Sequence, residues 1–261
     1  MATSPKRKTR HAVDAKPPTV SARTTPAQTL VALTKLGSAS AATFAQRFFK
    51  TGAGQYGEGD AFLGIGVPVL RAFAGEMKDA GIEVALPLLK SGWHEARAVA
   101  LMLLVRLYQH GDEQTKKTVF DLYLKSTKFI NNWDLVDMSA EHIVGGWLAN
   151  KPALRKSVLT RLAKSKSLWE RRIAILATFH YIKQGDVAET LRIAKLLLKD
   201  EEDLIHKAVG WMLREVGKRV DEKEEESFLN RYYREMPRTM LRYATERFGE
   251  TKRKRYLAGL I

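Results

Sequence analysis

From Thr29 to about Phe248, apolar residues recur three and four positions apart, the period of helices that bury one face. Gly, Pro, Asn and Asp clusters break this pattern into segments. The spacing predicts helices over 29–38, 41–50, 67–80, 83–91, 94–109, 113–129, 133–149, 152–164, 168–183, 187–199, 202–218, 222–235 and 238–248. Prolines in KPALRKS and REMPRTM stand where a new helix can begin. No stretch alternates convincingly as a strand would. The segment GAGQYGEG (52–59) has G-x-G-x-x-G spacing, but that fingerprint needs a strand before it and a helix after it. A helical pattern precedes it here, so it reads as a loop.

Three segments resemble one another: HEARAVALMLL, WERRIAILATF and IHKAVGWMLRE. Each begins with polar and basic residues and runs into an apolar stretch. Matching Arg97, Arg172 and Lys207 gives a period near 35, with Asp137 in the slot 35 before Arg172 and Arg242 in the slot 35 after Lys207. Such a period, with two helices per unit, predicts an all-α fold, an α-solenoid of HEAT-like helical repeats. The second helices would line one common concave and basic surface.

Charge sharpens that picture. The chain of 261 residues carries a net charge of +15. Residues 1–28 hold six basic residues and one acidic, and the remainder holds 38 basic and 28 acidic. The excess therefore belongs to the repeat region as well as to its arm, which suggests a polyanion partner, nucleic acid before acidic membrane. Residues 1–28 read as a disordered basic arm, 29–250 as the repeat domain and 251–261 as a basic C-terminal tail. No run of about 18 apolar residues predicts a membrane span, and the N-terminus lacks the apolar core of a secretory signal. With no cysteine, disulfides, thiolate nucleophiles and cysteine-held metal clusters are excluded. His94, His142, His180 and His206 show no metal-ligand spacing and read as structural or surface residues.

Three positions carry candidate chemistry. In 202–218, Ile205, Val209, Met212, Leu213 and Val216 form one apolar face, with Lys207, Trp211, Arg214 and Lys218 on the opposite one. Trp211 thus sits in a basic row, either covered by the next repeat or meeting a nucleic-acid sugar or base. Arg172 interrupts a helix that is apolar almost all round, so it needs an anion, either a structural carboxylate or a bound phosphate. In NNWDLVDMSAEHIVGGW (131–147), Val136, Ala140, Ile143 and Trp147 form an apolar stripe. Asp137 lies at its margin, one turn after Trp133. It could pair with Arg172 or another buried base, cap a backbone group, or be solvated. It could also be catalytic, an anion placed to meet developing positive charge.

Four blocks in order carry a resemblance: FLGIGVPVLR (62–71), WDLVD (133–137), SLWERRIAIL (167–176) and HKAVGWMLRE (206–215). Together they resemble the AlkD family of DNA alkylation repair proteins over roughly residues 41–248. The resemblance implies a HEAT-like DNA glycosylase that removes cationic N3- and N7-alkylated purines from duplex DNA without flipping the base. It implies that Trp133, Asp137 and Trp211 are the active-site residues and that Arg172 and Arg214 contact the DNA backbone. Lys207, Lys218 and Phe48 would join the DNA-binding surface. Phe48, within RFFK, stands where the family has a tyrosine, so that hydroxyl contact to water or phosphate would be missing. The expected protein is a monomer working beside DNA, cytoplasmic and nucleoid-associated in a bacterium or nuclear in a eukaryote. A silent binder of distorted or branched DNA and a protein–protein scaffold are the competing readings.

Overall fold

Thr25 and Gln28 form a reciprocal cap: the Thr25 hydroxyl accepts from Gln28 N, and the Gln28 side chain accepts from Thr25 N. With Pro26 in the first turn, this starts α1, Pro26–Lys35. The computed structural model describes residue 21 and residues 24–261. Most of the arm expected over 1–28 lies outside the described residues, and α1 begins inside its predicted limit. The chain continues through α2 (Ala39–Phe48), α3 (Val67–Glu76), α4 (Ile82–Leu89), α5 (His94–His110) and α6 (Glu113–Lys125). Next come α7 (Trp133–Asp137), α8 (Gly146–Leu148), α9 (Pro152–Ala163), α10 (Leu168–Ala177), α11 (Phe179–Ile182) and α12 (Ala188–Leu196). The last four are α13 (Asp203–Arg219), α14 (Glu222–Tyr232), α15 (Arg238–Ala244) and α16 (Glu250–Ala258). No strand forms among the described residues, and no helix there is long and apolar enough to cross a membrane.

The units stack through their second helices. α5 packs on α7 and the turn that follows it, α7 on α10, α10 on α13 and α13 on α15. This is the helical-repeat arrangement that the period predicts. The hydrogen bonds, however, set the register one residue differently. At the head of α5, Ser91 Oγ accepts from Trp93 N and Arg97 donates to Ser91 O. Ser165 Oγ accepts from Ser167 N and Arg171 donates to Ser165 O at the head of α10. Asp200 accepts from Glu202 N and pairs through its carbonyl with His206 at the head of α13. Arg97 therefore corresponds to Arg171 and His206, while Arg172 corresponds to Lys207.

Two further expectations need correction. The helix predicted over 133–149 is not continuous: a π turn at Glu141–Gly145 separates α7 from α8. Ser139 Oγ bonds Leu135 O at 2.5 Å and Tyr123 OH at 2.9 Å, so a hydroxyl competes for the acceptors of a regular ladder. The stripe nevertheless survives, with Val136, Ala140, Ile143 and Trp147 all buried. The basic stretch 251–261 is not a free tail, because α16 occupies most of it. Buried Tyr256 docks that helix against Phe248 and Tyr233.

Ile205, Val209, Met212, Leu213 and Val216 are fully buried along α13. Each such side chain contributes about 1.5–3 kcal/mol, against at most about 1 kcal/mol for an exposed ion pair. Apolar faces therefore hold the stack, and polar groups fix its register. Gly210 lets α15 approach α13: a Cβ there would lie 2.4 Å from Met240 O and 2.5 Å from Tyr243 Cβ. Gly to Ala in a helix ordinarily gains about 1 kcal/mol. A clash with backbone outweighs that gain, so Gly210→Ala should destabilise by about 1–3 kcal/mol. Urea unfolding would measure it, and an unchanged or higher midpoint would mean that α15 can retreat freely.

Candidate functional site

The site begins at the N-terminus of α7. Asn132 Oδ1 accepts from Trp133 N at 2.8 Å, and its amide donates to Asp60 Oδ2 at 3.1 Å. Asp60 also accepts from Arg97 Nη2 at 2.7 Å and Asn131 Nδ2 at 3.2 Å. His94 lies between two carboxylates, with Nε2 2.8 Å from Asp134 Oδ2 and Nδ1 3.5 Å from Asp60 Oδ2. Burial pulls the His94 pKa down, but the bonds to Asp134 and Asp60 outweigh it and leave it raised. Burial pushes the Asp60 carboxyl up, yet His94, Arg97 and Asn132 together hold it at about 2. This cluster fixes the start of α7 and, through Asp60, the end of the glycine-rich loop. Phe49 stacks on Trp133 with ring centres 5.3 Å apart, and it is backed in turn by Phe62 and His94. The indole is therefore held from behind.

One turn along α7 stands Asp137. Arg172 of α10 grips it with both arms, Nε to Oδ1 and Nη2 to Oδ2, each at 2.8 Å. The remaining arm donates to Leu204 O at the start of α13. A fork of this kind needs both carboxyl oxygens as acceptors, which is the geometry of an ionised carboxylate. Burial raises the Asp137 carboxyl above its usual range, and Arg172 offsets this only in part. The guanidinium is almost sealed, its side chain 6% exposed, while the Asp137 side chain is 19% exposed. The pair is thus a dipole with its negative end toward solvent. Arg172 ties α7, α10 and α13 together, and its polar atoms are engaged within the protein.

α13 presents Lys207, Trp211 and Arg214 opposite its apolar face. Lys207 pairs with Asp203 at 2.7 Å. Arg214 pairs with Glu246 and lies 3.7 Å from Glu215. The row is therefore partly neutralised by neighbouring carboxylates. Phe179 backs Trp211 with ring centres 5.9 Å apart. Lys218 is exposed on the last turn of α13 and does not line the cleft that the others form.

That cleft has a volume of about 590 Å³. Trp133, Asp137, Arg172, Lys207, Trp211 and Arg214, distant in sequence, all line it, and Phe48 joins them, 55% exposed and edge-on to Trp133. Sequence reasoning missed Lys50, Tyr56, Tyr243 and the acidic pair Glu202 and Asp203, which line it too. Tyr243 follows Arg242, itself found by the period, and could have been read as its neighbour. Tyr56 carries no such signal, because its loop has no periodicity. Among the described residues no group of His, Asp and Glu could hold a metal ion.

The family of DNA alkylation repair enzymes matches residues 29–248, and the chain belongs to it. A solved structure described as a predicted DNA alkylation repair enzyme from Enterococcus faecalis shares the helical-repeat fold, with a TM-score of 0.64. It is 17% identical, and the match covers 82% of this chain and 97% of that one. No curated protein matches the sequence. Family membership makes the chain an enzyme class of DNA repair, with DNA as the partner.

Asp60 offers a test of how the site is anchored. Asp60→Asn removes the charge facing Arg97 and His94 and should cost about 3–5 kcal/mol. Because the Asp60 pKa is depressed to about 2, its contribution is present above the unfolded value near 3.8 and is lost as pH falls toward 2. The difference in stability between wild type and Asp60→Asn should therefore shrink between pH 4 and about 2. A difference that does not vary with pH would contradict the ion-pair account.

Proposed function

We propose that the protein is a DNA glycosylase that excises cationic N3- and N7-alkylated purines from duplex DNA. The observation that supports this reading is the Asp137 carboxylate, forked by Arg172 at the wall of a cleft flanked by two tryptophans. Alkylation at N3 or N7 makes the purine a cation and a good leaving group. As the C1′–N9 bond breaks, its electron pair neutralises the departing base and leaves positive charge on the sugar. Asp137 uses one acceptor position on each oxygen for Arg172, so further lone pairs remain for the sugar and for a water molecule. That water attacks C1′, and its proton passes to the carboxylate or to solvent. The faces of Trp133 and Trp211 offer negative π density to the same cation.

Arg172 is a positioning residue in this scheme. It is buried, and its N–H groups hold Asp137 and Leu204, so the backbone contact that the resemblance implies falls instead to Lys207 and Arg214. Both have carboxylate partners that a phosphate can replace. Phe48 and Lys218 belong at the edge of the DNA footprint. As the resemblance implies, the lesion is attacked while it stays in the duplex, unlike the flipped base of most glycosylases. The chemistry calls for no metal or organic cofactor and for one copy of the chain. A DNA substrate implies work in the bacterial cytoplasm, or in a nucleus.

One observation favours the alternative of a silent binder of distorted DNA: a carboxylate already satisfied by arginine needs no further task. Base release separates the two. Asp137→Asn should slow release of N7-methylguanine from duplex DNA by about a hundredfold or more, with duplex affinity within about threefold. Its unfolding midpoint must be read alongside, since Arg172 loses its partner. Equal rates in wild type and variant would remove Asp137 from the chemistry. The rate should also fall as pH decreases, because the carboxylate is the active form, with a midpoint above the ordinary 3.8 since burial raises this group. Trp211→Ala should weaken both binding and release. Unaltered behaviour would mean that the indole only fills space.

A further inference from the structure

The glycine-rich stretch 52–59 plays no part in the scheme above, yet it is a built structure. Gly52 N donates to Gln55 Oε1 at 3.0 Å, and Gly54 N donates to Glu58 Oε2 at 2.8 Å. Gly57 N donates to Lys50 O at 3.2 Å, and Asp60 N donates to Gly57 O at 3.1 Å. Gly57 passes so close to the end of α2 that a Cβ there would lie 2.4 Å from Phe49 O. Asp60, the hub that anchors α7, closes the loop. The residue before Gly57 is Tyr56, half-buried and lining the cleft.

Tyr56 is placed edge-on against Trp169, with ring centres 6.1 Å apart. Its hydroxyl donates to Phe48 O at 3.5 Å, the outer limit of a hydrogen bond. Lys50 Nζ sits 6.0 Å from the centre of its ring, and Lys207 is near enough to act on it electrostatically. A phenol with a weak acceptor and two ammonium groups line one side of the cleft, with Asp203 as the present partner of Lys207. The hydroxyl and the two ammonium groups suit a mono-anion whose outer atoms all accept, once it replaces Asp203 as the partner of Lys207. Burial raises the Tyr56 pKa, so the phenol keeps its proton at neutral pH.

We infer that the glycine-rich loop delivers Tyr56 to a backbone phosphate of the bound duplex, which it holds together with Lys50 and Lys207. This rests on the glycosylase reading for the identity of the duplex, and on the geometry of the loop for the phosphate. Tyr56 is then a binding residue that sets the register of the lesion.

The test is Tyr56→Phe, which keeps the ring and the packing of the loop. The substrate is a duplex with one N7-methylguanine and methylphosphonate linkages introduced one at a time around it. In single-turnover base release, Tyr56→Phe should raise the half-saturating protein concentration about tenfold and leave the maximal rate within about twofold. One linkage whose neutralisation weakens wild type about tenfold should weaken Tyr56→Phe no further. Losses that multiply at every linkage, or a fall in maximal rate with unchanged saturation, would overturn the assignment. If wild type released no base, the glycosylase reading would fail. The same cycle run on duplex affinity would still uphold or overturn the phosphate contact. A thermal midpoint equal to wild type is expected for the variant, and a large drop would assign Tyr56 to the fold instead.

Discussion

The two arms of Arg172 on Asp137 are the contact around which the rest is arranged. They join α7 to α10, and the third arm reaches α13 through Leu204 O. Three successive layers of the stack thus meet at one guanidinium. Burying such a pair costs several kcal/mol in desolvation, and well-packed apolar residues could have held the helices as firmly. What apolar residues could not do is keep a carboxylate ionised, immobile and turned to the margin of a cleft. The arginine sits on the dry side and the carboxylate on the wet side, so the pair presents negative charge to whatever enters.

A second buried pair, Asp60 with Arg97, acts in the same way one layer earlier. It holds no group toward the cleft. Its work is to position what does face the cleft: Asn132 passes its anchoring to the first turn of α7, and the glycine-rich loop ends on it. Trp133 and Tyr56 therefore reach the cleft from a common foundation, although 77 residues separate them. The aromatic stack of Phe62, Phe49 and Trp133 adds stiffness to that foundation and keeps the indole face at a fixed angle.

Much of this was legible in the residues. The opposition of Ile205, Val209 and Met212 to Lys207, Trp211 and Arg214 is a matter of helical angle, and the structure keeps it. The stripe of Val136, Ala140, Ile143 and Trp147 was equally plain, because burial tolerates a local π turn. The turn itself was not, since it depends on Ser139 meeting Tyr123 from another helix. The one-residue offset between Arg97 and Arg172 escaped because both are arginines in similar company. Only the capping bonds to Ser91 and Ser165 distinguish Arg171 as the true counterpart. Tyr56 was out of reach for a different reason: loops obey no period, and its place follows from contacts with α2 and Asp60. The carboxylates that soften the basic row, Asp203 and Glu246, were invisible as a group because they come from separate elements.

The central claim is that the Asp137 carboxylate stands at the reacting sugar while Arg172 holds it. A crystal structure of the complex with duplex DNA bearing an alkylated purine, or the abasic product, measures this directly. The account predicts a carboxylate oxygen about 3.5 Å from C1′ of the lesion with the Arg172 fork intact. A duplex seated with that sugar outside the cleft, or Arg172 released from Asp137 to a phosphate, would contradict it.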